Sequence, residues 1–228
     1  MATVHEPKRL SRGNMPLPLS DEQRFCVAAI DFPTYVAIAD LLGERHIRAT
    51  YAGGVLELMT LSQEHEHLKT LIGAFIETLV VERDIDMKPG GFMTLRRVDL
   101  ERGIEADECY WIANEAAVRH VKEFDFAKDP PPDLAVEVEI SRSSLDRMDI
   151  YRRLRVPEVW RCDADGIHFE VLSDDGQYEP SERSKAFAFL RSDSLYGVLT
   201  AVPDLSRTKL LQYFRTWIRE QIEGGWQA

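Results

Sequence analysis

The stretches IEADECYWI at residues 104–112 and PPDLAVEVEI at residues 131–140 decide how this chain folds. Because strand side chains alternate between two faces, the second stretch places its large apolar residues on one face and Glu137 and Glu139 on the other. The first stretch is apolar on both faces, which predicts a central strand where Asp107 is costly to desolvate. If the strands pair, Asp107 and Glu137 converge, and a hard cation would relieve their repulsion. The pattern therefore predicts a divalent-metal site.

Glu139 has more than one interpretation at this point. Alternating glutamates are typical of the water-facing side of an antiparallel sheet, and that interpretation suits Glu139 taken alone. Glu139 can equally serve the site, as a third metal ligand or as the base for an attacking water. Asp107 fits the water-facing interpretation less well, because its own strand face continues into Cys109 and Trp111.

The chain of 228 residues is long enough for one sizeable core, and no stretch of it resembles an interdomain linker. We therefore predict a single domain over residues 21–228, preceded by a loosely held arm over residues 1–20. The longest apolar stretch, residues 71–76, is far too short to cross a bilayer, and the basic N-terminus has no apolar segment typical of an export signal. These features predict a cytoplasmic protein with no membrane partner.

Cysteine usage agrees with a reducing compartment. Cys26, Cys109 and Cys162 are widely spaced, and none belongs to a CxxC pair. The sequence therefore predicts neither a disulfide framework nor a structural zinc site.

Charge is distributed unevenly along the chain. The 39 acidic residues outnumber the 28 basic ones, and the net charge of −11 argues against a protein that coats nucleic acid by bulk electrostatics. Residues 142–161 are the exception, with six arginines against three acids. Such a run is typical of the solvated basic face of a helix, but this one begins just after Glu139, beside the predicted metal site.

Local periodicity and capping signals predict the order of the elements. They are a helix over 31–42, a hairpin of strands 47–51 and 55–59, a long helix capped by Ser62, a strand over 92–98, a helix from Ser144 or Asp146 to Arg153, a hairpin of strands 157–162 and 167–172, and an amphipathic C-terminal helix. On the long helix, His65 and His67 point about 200° apart and cannot bind one ion together. Their segment is predicted to cap the helix N-terminus instead.

Several enzyme classes lack their sequence signatures here, namely the serine nucleophile elbow, the phosphate-binding glycine loop and the dinucleotide fingerprint. The chain does have Asp107, an acid thirty residues later at Glu137, and an arginine-rich helix directly after it. Phosphodiester cleavage requires such parts, since oxygen ligands hold Mg²⁺ and a cation offsets the growing charge on the phosphate. The spacing alone is weak evidence for that reaction.

Five blocks of sequence, taken together with Tyr151, resemble the Uma-type restriction endonuclease family, formerly a domain of unknown function, in the PD-(D/E)XK nuclease superfamily. The blocks are GVLELM at 54–59, SQEHE at 62–66, EADECY at 105–110, PDLAVEV at 132–138 and VPEVWRCD at 156–163. They occur in order, which is far more specific than any single motif. The resemblance implies an α/β fold, with a mixed central β-sheet flanked by helices on both sides.

The resemblance also implies roles for four residues. Asp107 and Glu137 match the family's acidic metal ligands, whereas Glu139 stands where the superfamily has a lysine. In this family a basic residue four positions before the tyrosine of the next helix is thought to supply that charge, and here it is Arg147. A guanidinium keeps the charge and can bind phosphate, but its pKa is too high for it to act as a general base.

These inferences lead to one principal hypothesis and two rivals. The principal hypothesis is an endonuclease that hydrolyses DNA with Mg²⁺ or Mn²⁺, using Asp107, Glu137, Glu139 and Arg147, either as a monomer or as a homodimer. The first rival is a nuclease-fold protein that has lost turnover and acts as a binding or structural module. The second is glycoside hydrolysis by a carboxylate pair, which would require an aromatic-rich cleft.

Overall fold

The computed structural model describes residues 22–43, 45–201 and 205–226, so the predicted arm over residues 1–20 lies outside it. In chain order the strands are β1 (Arg24–Ala28), β2 (Ile47–Ala52), β3 (Val55–Thr60), β4 (Lys88–Pro89), β5 (Thr94–Arg97), β6 (Arg102–Glu105), β7 (Glu108–Trp111), β8 (Leu134–Val138), β9 (Glu158–Asp163), β10 (Gly166–Leu172) and β11 (Tyr178–Ser181). The helices are α1 (Phe32–Leu42), α2 (Gln63–Arg83), α3 (Glu115–Val118), α4 (Arg147–Leu154), α5 (Ser192–Thr200) and α6 (Arg207–Glu223).

The strands form two sheets. The first has the order β1-β3-β2-β6-β5 and is antiparallel throughout. The second has the order β11-β10-β9-β8-β7-β4 and is mixed, because β8 and β9 run parallel while the other neighbours are antiparallel. The predicted α/β class with a mixed sheet and flanking helices is confirmed, and a second, antiparallel sheet lies beside the mixed one.

The predicted hairpin near the start of the chain is present as β2 and β3. Both residues of its turn have positive φ, 52° at Gly53 and 89° at Gly54. Glycine reaches this region without the clash that a Cβ would cause, so the Gly-Gly pair sets the tight turn and the strand register.

Helices cover both faces of the mixed sheet. The apolar residues Leu134, Val136 and Val138 of β8 face a core that α2, α5 and α6 complete. On the opposite face, Ala135 packs in a second core with residues of α4. Because side chains alternate along a strand, Glu137 lies on the same face as Ala135. Its carboxylate is therefore buried between the mixed sheet and α4. No helix in the part of the chain that the structure describes is long and apolar enough to cross a bilayer.

The stretch 104–112 is not the single strand that its sequence predicts. Strand β6 ends at Glu105 in the antiparallel sheet, and β7 begins at Glu108 in the mixed sheet. Ala106 still donates to the carbonyl of Met93 at 3.4 Å, whereas Asp107 turns to the other sheet. Alternation could not reveal this change of sheet, because the residues on both sides of the break are buried. Asp107 therefore lies at the junction of the two sheets.

Candidate functional site

Asp107 is fixed next to β8 by strand register and by one hydrogen bond. The antiparallel pairing of β7 with β8 matches Glu108 to Val136, so the same register places Asp107 opposite Glu137. The Val138 backbone N–H donates to Asp107 Oδ2 at 2.8 Å. The side chain of Asp107 is only 1% exposed, so its charge must be balanced from within the protein.

His65 supplies part of this balance. Ser62 caps α2 by accepting from the His65 backbone N–H at 3.1 Å, which turns the His65 ring into the protein. Its Nε2 lies 2.8 Å from Asp107 Oδ1, and its Nδ1 lies 3.1 Å from Glu22 Oε2. Burial lowers the pKa of His65, but the two carboxylates outweigh it and raise the pKa to about 9. The imidazole is therefore a cation at neutral pH.

The two oxygens of Asp107 differ in their surroundings. Burial raises the pKa of this carboxyl, but the close contact with the His65 cation outweighs it and holds the pKa below its usual range. Although Oδ1 lies close to His65 Nε2, neither atom has a well-aligned hydrogen-bond partner, and the nearest guanidinium nitrogen, Arg48 Nε, is 3.9 Å away. Asp107 Oδ1 is thus a buried, charged oxygen with unused acceptor capacity.

Glu137 is held by residues of α4. Arg147, the first residue of that helix, lies with Nη2 at 2.6 Å and Nε at 2.8 Å from Glu137 Oε2, and Tyr151 donates its hydroxyl to Oε1. Burial raises the pKa of Glu137, the charge of Arg147 opposes that rise, and the charge of Asp107 adds to it. The pKa of Glu137 thus ends above its usual range, whereas that of Asp107 ends below it.

Arg147 joins this cluster to the antiparallel sheet. It donates from Nη1 to the hydroxyl of Thr50 at 2.8 Å and from Nη2 to the carbonyl of Glu105 at 3.2 Å. Burial raises the pKa of the Glu105 carboxyl to about 7 despite the nearby charge of Arg48. The side chain of Arg147 is almost fully buried, so its charge interacts with the groups of the site and is little screened by water.

Glu139 has a different environment. It is half-buried beyond the end of β8, and its Oε2 lies 3.1 Å from Arg161 Nη2. It borders a surface cleft of about 300 Å³, which we call the Arg147 cleft, lined among others by Glu139, Arg142, Ser143, Asp146, Arg147 and Arg161. None of the lining residues is aromatic, which disfavours sugar binding and the glycoside-hydrolase rival.

The structure thus brings Asp107, Glu137 and Arg147 together and leaves Glu139 at the cleft edge. Sequence reasoning missed His65, which it assigned to helix capping. Only the His65 backbone takes part in the cap, because the ring lies on the same helical stripe as Leu68 and Ile72. That i, i+3, i+7 spacing was the available signal for its burial.

The donor set of the site suits a hard divalent ion. The described residues contain no group of three or more His, Cys, Asp or Glu side chains gathered around one ion position. Carboxylate oxygens at facing strand positions are nevertheless the ligand type that Mg²⁺ and Mn²⁺ prefer.

Comparison with solved structures finds similarity to the crystal structure of a putative nuclease belonging to DUF820 from Anabaena variabilis. The two chains share 14% sequence identity, and the match covers 81% of this chain and 99% of that one, with a TM-score of 0.49. No curated protein matches the chain.

Comparison with protein families gives a match over residues 32–203 to the model named Uma2, described as "Putative restriction endonuclease". The matched range contains His65, Asp107, Glu137, Glu139 and Arg147. Restriction-endonuclease-like nucleases generally use divalent metals and act on nucleic acid. Because the match covers most of the sequence, the chain belongs to the Uma2 family of putative restriction endonucleases.

Proposed function

We propose that this protein is a Mg²⁺-dependent endonuclease that hydrolyses phosphodiester bonds of DNA. The observation that carries the proposal is the cluster of Asp107 and Glu137 at facing strand positions, with Arg147 in direct contact and a surface cleft at Arg147. Two acids and one cation are the groups required for metal-dependent phosphoryl transfer. In a chain of this family, their position at the sheet junction favours catalysis over a purely structural role.

Asp107 and Glu137 would hold the ion, which would lower the pKa of the attacking water and offset negative charge on the phosphate. Arg147 places a permanent positive charge beside Glu137 and lines the cleft, where it can stabilise the charge that grows on a bound phosphate. This role requires no proton transfer, which suits a guanidinium.

His65 and Glu139 have supporting roles in this proposal. His65, held between Asp107 and Glu22, fixes the orientation of the Asp107 carboxylate. Glu139 lies at the half-exposed edge of the cleft, paired with Arg161, and can accept a proton from water that enters there.

The direct test is cleavage of supercoiled plasmid DNA by the purified protein with Mg²⁺, with Mn²⁺ and with EDTA. We expect nicked or linear products only when a divalent metal is present, and no products from Asp107→Asn. Absence of cleavage by the wild type under all metal conditions would contradict the proposal.

A matched control is available at Asp133, another buried aspartate. It accepts hydrogen bonds from the backbone N–H groups of Ile112 and Asn114 and from the Asn114 side chain, at 2.6–2.9 Å. Asp133→Asn should keep metal-dependent cleavage if the variant remains folded, as checked by its melting curve. Equal loss of cleavage in both variants would mean that Asp107 acts through the fold alone.

A second function, nucleic-acid binding without cleavage, is favoured by one observation. Cations of the chain itself already accompany both acids of the site, His65 at Asp107 and Arg147 at Glu137. Such internal neutralisation is also what a protein that no longer uses a metal would require. Binding of DNA that is independent of metal, together with the absence of cleavage, would select this function.

A further inference from the structure

We propose that helix α4 is a binding track for the phosphate backbone of duplex DNA, running from the Arg147 cleft to a second arginine cleft at its other end. The proposal rests on the nuclease function above and extends it to the way in which the substrate is held. It concerns residues beyond the metal site and depends on their position and charge.

The second cleft lies at the C-terminal end of α4. It has a volume of about 450 Å³ and is lined among others by Arg97, Arg152, Arg153, Arg155, Asp174 and Asp175. We call it the Arg155 cleft. Four arginines and two aspartates thus lie at one arginine-rich surface of a protein whose net charge is −11. Each end of one short helix therefore carries an arginine-lined depression.

Most arginines of these clefts have a carboxylate partner. Asp149 pairs with both Arg152 and Arg153, and Arg97 lies 2.6 Å from Asp99. Arg161 is paired in the same way with acids near the Arg147 cleft, Glu139 being 3.1 Å away. These pairs keep the guanidinium groups in place but reduce the charge that they offer to a ligand.

The exceptions are Arg142 in the Arg147 cleft and Arg155 in the Arg155 cleft. Both are exposed, and within residues 22–43, 45–201 and 205–226 neither has a carboxylate within ion-pair distance. One uncompensated cation thus lies at each end of α4. This placement suits a long anion with charges at regular spacing better than a single small anion.

The backbone at Arg155 bears on the design of the test. Arg155 caps the C-terminus of α4 in the left-handed conformation, with φ of 59° and ψ of 37°, and Asp84 caps α2 in the same conformation. Glycine is the residue that adopts this conformation without strain, so an arginine there is retained at some cost to stability. A cation at a helix C-terminus gains some energy from the helix dipole, but Arg152 and Arg153 already supply that charge in the last turn.

The dimensions fit the backbone of one DNA strand. Helix α4 has eight residues, which corresponds to a length of about 12 Å. Successive phosphates advance by about 3.4 Å along each strand of a duplex. Because each strand also winds around the duplex axis, its phosphates are farther apart in space than this rise, and a phosphate at Arg155 would lie about two nucleotides from the one cleaved beside Arg147.

The test measures binding in EDTA, so that it does not depend on cleavage. Fluorescence anisotropy of a short labelled DNA duplex gives the dissociation constant at several salt concentrations for the wild type, Arg142→Ala, Arg155→Gly and Arg215→Ala. The control, Arg215, is an exposed arginine of α6, which lies across the mixed sheet from α4. Affinity falls as salt rises, and we expect the steepness of log affinity against log salt to decrease by about 0.9 in Arg142→Ala and in Arg155→Gly. It should stay unchanged in Arg215→Ala.

Arg155→Gly also separates binding from folding. Since glycine relieves the left-handed strain, we expect this variant to melt at the wild-type temperature or above while it binds DNA more weakly. A lower melting temperature would show that Arg155 stabilises the fold and would overturn the strain argument.

Unchanged salt slopes for Arg142→Ala and Arg155→Gly, or no binding of duplex by the wild type, would overturn the track. The plasmid assay keeps this outcome distinct from failure of the proposed function. Cleavage with unchanged slopes contradicts only the track. Reduced slopes without cleavage support the track and contradict the nuclease activity.

Discussion

Glu137 and Glu158 lie on neighbouring parallel strands, and both are buried, yet their carboxylates are satisfied in different ways. Glu158 accepts from the indole N–H of Trp160 at 2.8 Å, from the hydroxyl of Ser184 at 3.1 Å and from the backbone N–H of Ala186 at 2.8 Å. Among the described residues no cation pairs with it. All three of these hydrogen-bond donors to Glu158 are neutral groups.

Glu137, in contrast, faces a guanidinium, and the neighbouring Asp107 faces an imidazolium. One oxygen of Asp107 still lacks an aligned donor. A carboxylate buried for structural reasons can be satisfied by neutral donors, as Glu158 shows, so cations and an unfilled acceptor are not required for burial itself. The two acids of the proposed metal site thus differ from Glu158 in their cationic partners and in one incompletely satisfied oxygen, a difference typical of functional rather than structural acids.

The largest expected effect comes from one substitution made at both glutamates. Glu137→Gln should lower metal-dependent cleavage by about 10³-fold, since a lost ion contact removes several kcal/mol of transition-state stabilisation. Glu158→Gln should leave cleavage essentially unchanged. Rates measured under single-turnover conditions test the pair, and similar losses in the two variants would remove the distinction between functional and structural acids.

A smaller loss is expected when the cation beside Glu137 is removed. Arg147→Ala should lower cleavage by about 10²-fold, the scale of losing one electrostatic stabiliser. Arg147→Lys should retain or increase the rate, because an ammonium restores the charge and can also exchange a proton. The control is Arg215→Ala on α6, outside both clefts, which should cleave at the wild-type rate. An equal loss there would mean that the effect of Arg147→Ala is not specific to its position.

The charged ring of His65 beside Asp107 predicts that folding stability depends on pH between about 6.5 and 9. Within the described ranges of the chain, Glu158 has no cationic partner that would produce this dependence. The folded-state pKa of His65 is raised from 6.5 to about 9, so its contribution is fully present below pH 6.5 and is lost as the pH rises through 9. We expect the stability advantage of the wild type over His65→Gln to fall by roughly 2 kcal/mol across this range. Urea unfolding at several pH values measures it, and a constant difference would mean that His65 is neutral in the fold.

The smallest effect concerns the stability of Glu158→Gln. Burial raises the pKa of Glu158, so its ionisation disfavours the folded state increasingly as the pH rises above 4.5. Glutamine has no such ionisation but satisfies the three donors less well, at a cost of about 1 kcal/mol. The variant should therefore be less stable than the wild type near pH 4.5 and should approach it at higher pH, as thermal melting can test.

The elements of the fold could be predicted from the sequence because their signals are local. Ser62 and Asp146 cap α2 and α4 as expected, and the Gly53-Gly54 turn sets its hairpin. The change of sheet between Glu105 and Glu108 could not be predicted, since a buried segment has the same composition in one sheet as in two.

The candidate site, like the fold, could be predicted only in part from the sequence. The approach of Asp107 and Glu137 follows from strand alternation and register, which leave traces in sequence, whereas Arg147 was singled out through the family resemblance. The link from Glu22 to His65 was not predictable, because it joins residues that are distant in sequence and depends on how two elements pack. Side-chain pairs between distant elements have no periodic signature.

The bond between Asp107 and Val138 has a dynamic consequence. Strand β7 begins at Glu108, and the residue just before it, Asp107, accepts through its carboxylate the Val138 N–H that a strand carbonyl would otherwise take. Since Asp107 belongs to the short segment that leaves the antiparallel sheet, this bond fastens the two sheets where the acids meet. Amide hydrogen exchange at Val138 therefore reports each local separation of the sheets, and each separation also releases Asp107 from its partner strand.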